Sequence, residues 1–451
     1  MKLFGTDGIR GVANTEPLTA DTAVKVGRAV ADTLCRSASS SMVIGTDTRI
    51  SGSMLASAVA AGAASAGTDV HMAGVVPTPA VARLTVRIGA GAGIVISASH
   101  NPFTDNGIKV FDGQGMKLNE AAERDIEAMI TGGARLPAAG LAIDAGRVER
   151  LPGAGEQYAD FLVDRFSDHL TLKNLPVVMD CANGATSRIA PAVFTRLGAK
   201  VTPMNTTPDG RNINRDCGSE HPEQLADTVV RHKAAVGFAF DGDGDRMVAA
   251  DASGQMLTGD QVIAICSAYL KDRGQLRSNR VVSTVMSNMG LSMALEQLNI
   301  EHGITAVGDR HVQHEMVRSG AVLGGEDSGH LIFREYHTTG DGIIAALFLL
   351  RVMADRNQSL SQLKQVMEVL PQALVNVVVA EKPALDTLPD VVTAIRKVEE
   401  ALTKQGRVLV RYSGTEPVCR VMVEAASKSD AERFGERIAV VLKNVIGSKS
   451  H

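Results

Sequence analysis

Four times along the chain a short apolar run stops abruptly in a polar cluster, and this arrangement limits the possible folds more than any other feature. Gly93-Ile94-Val95-Ile96 leads into Ser97-Ala98-Ser99-His100-Asn101-Pro102, and Ala235 to Phe240 leads into Asp241-Gly242-Asp243-Gly244-Asp245-Arg246. Ala321 to Gly324 leads into Gly325-Glu326-Asp327-Ser328-Gly329-His330, and Val408 onward into Arg411-Tyr412-Ser413-Gly414-Thr415-Glu416-Pro417. Helical patterns lie between such runs. Thr19 can cap a helix with apolar positions Ala23, Val26, Val30 and Leu34, and Pro77-Thr78-Pro79 opens another. Strands alternating with helices predict βαβ units and a mainly parallel sheet. In such sheets ligands bind beyond the carboxyl ends of the strands, where these clusters fall.

A stretch rich in Gly, Pro and Ala from Thr131 to Gly155 marks the first boundary. We expect segments at 1–152, 153–253, 254–369 and 370–451, the first three α/β with mixed, mostly parallel sheets. After Pro371 the order becomes strand, helix, strand, strand, helix, which predicts a smaller α+β domain. No sequence repeat joins the first three segments.

With 451 residues, 45% hydrophobic and 21% charged, every segment can bury a core. Aromatics are only 3% and the net charge is −4, which argues against nucleic acid as a partner but not against a small anion. The five Cys residues, at 35, 181, 217, 266 and 419, form no CxxC and read as reduced thiols of a cytoplasmic protein. The N-terminus lacks an apolar export core, and the apolar stretch Ile343 to Val352 is too short to span a bilayer and carries Arg351.

Each cluster has a plain reading beside a chemical one. Ser99, after a buried strand, can present its hydroxyl to a cleft or serve an ordinary Ser/Asn turn; the esterase elbow G-x-S-x-G is absent. Asp241, Asp243 and Asp245 repel one another unless a hard divalent cation draws them together, and the intervening Gly residues let their oxygens converge. A solvated acidic turn fits poorly at the end of an apolar strand. Glu326, Ser328 and His330 could grip a sugar and move a proton, or could simply form a Gly-rich hairpin. Arg411, Ser413, Gly414 and Thr415, with Arg420 beyond, make an anion cradle that a plain turn does not require. Gly89 to Gly93 is not a dinucleotide fingerprint, because a strand follows it, and His314 lacks the second His of a zinc helix, since Arg318 stands there.

Together these motifs resemble the α-D-phosphohexomutase family across essentially the whole chain. Phe4 to Gly11 is similar to its opening, Ser97 to Pro102 with Asn106-Gly107-Ile108-Lys109 to its active-serine loop, and Asp241 to Arg246 to its metal loop. Gly325 to His330 resembles its sugar loop and Arg411 to Pro417 its phosphate loop. Ser287-Asn288-Met289-Gly290 and Val307-Gly308-Asp309-Arg310 resemble the branch acting on glucosamine phosphates, although Asp327 stands where that branch usually has Gln, and Tyr412 also departs from the common pattern.

The resemblance implies four domains around a central cleft, one loop from each. It implies interconversion of glucosamine 6-phosphate and glucosamine 1-phosphate through phosphorylated Ser99 and a 1,6-bisphosphate, supplying UDP-N-acetylglucosamine synthesis. One Mg²⁺ would be held by Asp241, Asp243 and Asp245 and the Ser99 phosphate. Arg10, Lys109 and Arg246 would add positive charge, with His100 beside the substrate. Lys109 or His330 would handle the proton. Glu326 and Ser328 would grip the sugar, and Arg411, Ser413, Gly414, Thr415 and Arg420 the non-reacting phosphate. The partner is a small sugar phosphate, and a homodimer stays open. Asp327 either faces the amino group of the sugar or points away. The rival readings are a phosphomannomutase/phosphoglucomutase of the same family, a metal-dependent sugar phosphatase, and a non-catalytic sugar-phosphate binder.

Overall fold

The structure is a computed structural model and describes residues 3–5, 7–35, 40–132, 145–403, 405–413 and 416–447. It divides into two compact units, Met1–Met286 with Asn299–Val366, and Ser287–Leu298 with Met367–His451.

The larger unit contains three sheets. In the first, strands Ser41–Thr46, Asp69–Val75, Ala92–Ile96 and Val148–Arg150 run parallel, and Asp105–Asp112 and Ile9–Val12 extend the sheet antiparallel. Helices Ala20–Leu34, Gly52–Ser65 and Thr78–Ile88 connect them. Thr19 caps the first of these as expected, accepting the Thr22 amide at 3.2 Å. The small-residue helix packs so closely that a Cβ on Gly27 or Gly62 would meet backbone oxygen of the opposite helix at 2.0 Å. The core beneath is aliphatic, with Val26, Val30, Leu55, Val59, Ile94 and Ile96 all buried.

The second sheet places strands Pro176–Asp180, Lys200–Met204 and Val236–Phe240 parallel, then returns antiparallel through Met247–Asp251 and Met256–Leu257. The third pairs Arg280–Thr284 in parallel with Glu301–Thr305 and Leu323–Gly325, then returns antiparallel through Leu331–Phe333. The apolar helix Gly342–Arg356 is buried from Gly342 through Val352. No helix among the described residues is long and apolar enough to cross a membrane.

One feature differs from a simple βαβ reading. The strands leading into Ser99, Asp241 and Glu326 are each followed by an antiparallel return strand, not by a helix. The connecting segments 97–104, 241–246 and 326–330 are too short for a crossover, which needs a dozen residues or more. Each candidate loop therefore sits at the point where its sheet changes from parallel to antiparallel.

The smaller unit holds strands Gln372–Val378, Arg407–Tyr412 and Val418–Glu424 in an antiparallel sheet, with helices Pro389–Leu402 and Lys428–Ile446. Val391, Val398, Val421, Phe434, Ile438 and Leu442 form its core. Gly414 and Thr415 lie outside the described residues.

Candidate active site

Ser99 follows strand Ala92–Ile96 with φ of +53°, a conformation that side-chain-bearing residues rarely adopt. Its amide donates to Ser97 Oγ at 3.0 Å, and its own Oγ donates to Asp241 Oδ2 at 2.5 Å and lies 3.3 Å from His100 Nδ1. The serine is 1% exposed.

Asp241, Asp243 and Asp245 converge as their spacing predicts, with one oxygen from each within 4.8 Å of the others. Gly244, at φ +72°, permits the curl. Burial, reinforced by Asp245 and Asp243, pushes the Asp241 carboxyl well above its ordinary range. The Oδ1 atoms of Asp243 and Asp245 are buried without a hydrogen-bond partner. Three crowded carboxylates with unused oxygens fit a hard divalent cation.

Lys109 reaches the same carboxylates from strand Asp105–Asp112. Its Nζ lies 2.8 Å from Asp243 Oδ2, 3.1 Å from Asp245 Oδ2 and 3.1 Å from Asp7 Oδ2, and it is 2% exposed. Burial favours the neutral amine, but Asp243, Asp245 and Asp7 outweigh it and hold the pKa well above normal. His330 lies with Nδ1 3.7 Å from Asp245 Oδ1 and Nε2 3.2 Å from Asp309 Oδ2. Burial again opposes charge, and Asp309 and Asp245 again prevail, raising its pKa. At both residues the neighbouring carboxylates favour the charged form against the effect of burial.

Lys117 was not singled out in the sequence, yet it bridges Asp7 Oδ1 at 2.5 Å and the Asp309 carboxylate. These contacts close a ring of alternating charge: Lys109, Asp7, Lys117, Asp309, His330, Asp245 and back to Lys109. The ring draws on all three sheets of the larger unit. Asp7 and Asp309 lay in motifs already noted, whereas Lys117 in Met-Lys-Leu carries no sequence signal.

The remaining predicted residues fall close by or further off. Arg10 pairs with Asp7 at 2.6 Å, and Arg246 approaches Glu220 at 3.7 Å. Glu326 accepts the Gly308 amide at 3.1 Å, while Ser328 is exposed. Asp327 turns its Oδ1 to the Asp260 amide at 3.2 Å, in the first turn of helix Gly259–Asp272. Gly329 has φ +87°, and a Cβ there would meet Met247 O at 2.2 Å, so this loop presses directly on the end of the metal loop. In the smaller unit Ser413 is buried, Arg411 is exposed, and Arg420 pairs with Glu416 at 2.8 Å.

Phosphoglucomutase/phosphomannomutase alpha/beta/alpha domains I, II and III match residues 1–135, 156–254 and 258–370, and the C-terminal domain matches 374–441. The chain belongs to the phosphoglucomutase/phosphomannomutase family. Phosphoglucosamine mutase of Syntrophus aciditrophicus is 50% identical over 447 residues, covering 99% of this chain and 100% of the relative. Phosphoglucosamine mutase of Myxococcus xanthus is 47% identical, covering 99% and 97%. Among solved structures, a phosphoglucomutase/phosphomannomutase family protein from Burkholderia thailandensis matches with a TM-score of 0.81 at 26% identity, covering 98% and 97%. Aspergillus fumigatus N-acetylphosphoglucosamine mutase, solved with GlcNAc-6P and magnesium, shares the fold with a TM-score of 0.68 at 18% identity, covering 98% and 95%.

Proposed function

We propose that this chain is a phosphoglucosamine mutase, an intramolecular phosphotransferase interconverting glucosamine 6-phosphate and glucosamine 1-phosphate. The observation that carries the chemistry is the Ser99 hydroxyl held 2.5 Å from Asp241 beside carboxylates with unused oxygens. Full-length relatives at about half identity carry the choice of sugar.

In the active enzyme Ser99 bears a phosphoryl group. The sugar O1 attacks that phosphorus, the P–O bond to Ser99 breaks, and a 1,6-bisphosphate forms. After the intermediate turns over, Ser99 Oγ attacks the 6-phosphorus and the bond to O6 breaks, leaving the 1-phosphate and restoring phosphoserine. Each transfer moves one hydroxyl proton from the attacking oxygen to the departing one.

Such transfers depend on positioning and charge neutralisation more than on covalent catalysis. Mg²⁺, which Asp241, Asp243 and Asp245 would hold with the Ser99 phosphate, supplies charge neutralisation at the phosphoryl oxygens. Lys109, Arg10 and Arg246 add fixed positive charge, and His100 flanks the serine. Lys109 or His330, each placed beside the site carboxylates, handles the hydroxyl proton. Glu326 and Ser328 hold the sugar. Arg411, Ser413 and Arg420, with Gly414 and Thr415, grip phosphate. We assign these loops to segments 1–152, 153–253, 254–369 and 370–451 of a cytoplasmic enzyme.

Intact mass and peptide mapping should place one phosphoryl group on Ser99, and Ser99→Ala should lose mutase turnover. A coupled assay should favour glucosamine phosphate over glucose and mannose phosphates. Full activity in the alanine variant rejects the phosphoserine route, and steady release of free phosphate would instead mark a phosphatase.

A further inference from the structure

The backbone of the serine loop is gripped from two sides by side chains that no motif predicted. Arg49 follows strand Ser41–Thr46 and is 3% exposed. Its Nη2 donates to Ser99 O at 3.0 Å and Asn101 O at 2.7 Å, while Nη1 donates to Asp105 O at 3.0 Å and to Pro102 O. Asp47 fixes the guanidinium through Nε at 2.8 Å and also accepts Ser97 Oγ at 2.6 Å, the hydroxyl that receives the Ser99 amide. Asn214 approaches from the second segment, 8% exposed and at φ +58°. Its Nδ2 donates to the same two carbonyls, Ser99 O at 2.8 Å and Asn101 O at 3.0 Å.

The arithmetic of this contact is complete. Two nitrogens with two hydrogens each meet two carbonyls with two lone pairs each, so no donor or acceptor is left over. Gly242 completes the enclosure, since a Cβ there would lie 2.6 Å from Ser99 O and 2.8 Å from Asn214 Nδ2. A left-handed serine persists only where its surroundings over-determine it. These donors do so from two parts of the chain at once.

We infer that Asn214 and Arg49 are positioning residues that lock Ser99 in its left-handed conformation, so that Oγ meets the reacting phosphorus along one fixed line in both transfers. The inference rests on the mutase reading. It follows from a demand peculiar to that reaction: Ser99 must donate a phosphoryl group to one sugar oxygen and recover it from another. A loop that relaxed when its phosphate left would lose the alignment for the return, and small misplacements are costly in transfers governed by positioning.

The clean variant is Asn214→Gly, because glycine keeps the left-handed backbone while removing both donors. Arg49→Lys is its companion, retaining the charge for Asp47 without the planar fork that spans two carbonyls. Both should lower kcat roughly ten- to thirtyfold, the loss expected for two hydrogen bonds that hold a reacting group. The KM for glucosamine 6-phosphate should stay near wild type, and the Gly variant should remain folded at the assay temperature. Amide exchange at residues 99–101 should quicken in both. Wild-type kcat in Asn214→Gly, or a fall in kcat matched by a rise in KM and a loss of stability, overturns the inference. The exchange measurement needs no turnover, so a wild-type enzyme that takes no phosphate from glucosamine 1,6-bisphosphate refutes the mutase reading, while unchanged exchange in the variants refutes the clamp.

Discussion

Lys109 lies against two of the three carboxylates proposed to hold magnesium, and Lys109→Met isolates that role. Methionine nearly matches the volume and carries no charge. In the wild type the ammonium lies within 3.1 Å of Asp243, Asp245 and Asp7. Asp7 keeps Arg10 and Lys117 after the change, so the deficit falls on Asp243 and Asp245. Removing one member of a buried ion pair costs about 3–5 kcal/mol, because the remaining charge is left in a poor solvent. Divalent cation binding would satisfy the same two carboxylates. We therefore expect Lys109→Met to melt well below wild type in EDTA, and excess Mg²⁺ to raise its melting temperature more than it raises that of wild type. Turnover should stay low even when stability returns, since the ammonium is also missing from the reaction. Scanning fluorimetry of both proteins, with and without metal at one pH, measures the difference. Equal magnesium shifts would refute the reasoning, as would a variant as stable as wild type in EDTA.

Asp309→Asn should keep the fold but lower kcat on the order of tenfold or more, because Lys117 and His330 lose their shared carboxylate; wild-type kcat would remove Asp309 from the site. Asp327→Gln should leave the preference among glucosamine, glucose and mannose phosphates unchanged, because Asp327 caps the Asp260 amide and not the sugar; a loss of selectivity would show that the carboxylate turns toward the amine. Burial raises the Asp341 carboxyl to about 6 from 3.8, so its contribution to stability is full below pH 3.8 and is lost as pH rises through about 6. Asp341→Asn, which can still cap Ile343 and Ile344, should gain on wild type across that window by up to about 3 kcal/mol, and a pH-independent difference in denaturation midpoint would refute this.

Much of this architecture is legible in the chain because a buried strand and a polar end are both local signals. Val236 to Phe240 reads as an inner strand, and three carboxylates crowded on its end repel one another unless a cation draws them together. The hairpin returns were also within reach: the spacing from Ile96 to Asp105, or from Phe240 to Met247, leaves no room for a helical crossover. What could not be read was anything that depends on which faces meet. Lys109 enters the site only through the family resemblance: its alternation with Ile108 and Val110 suggests an exposed face, yet the strand is buried on both sides and the charge is neutralised by distant Asp243 and Asp245. Lys117, Arg49 and Asn214 stand in unremarkable contexts. Their partners lie far along the chain, and no periodicity links them.

The same separation explains how the site can remain organised with or without its charged visitors. Around the ring each carboxylate faces a cation, so the resting site is close to neutral despite its crowding. A phosphoserine brings nearly two negative charges, and a divalent cation brings two positive ones. Either arriving alone unbalances a buried cluster, where unpaired charge is expensive; arriving together they restore neutrality. Phosphorylation of Ser99 and binding of magnesium should therefore favour each other, and linkage requires the effect to be equal in both directions. The geometry provides the physical means, because Ser99 Oγ already lies against Asp241, whose carboxyl is pushed toward its protonated form by burial and by Asp245 and Asp243.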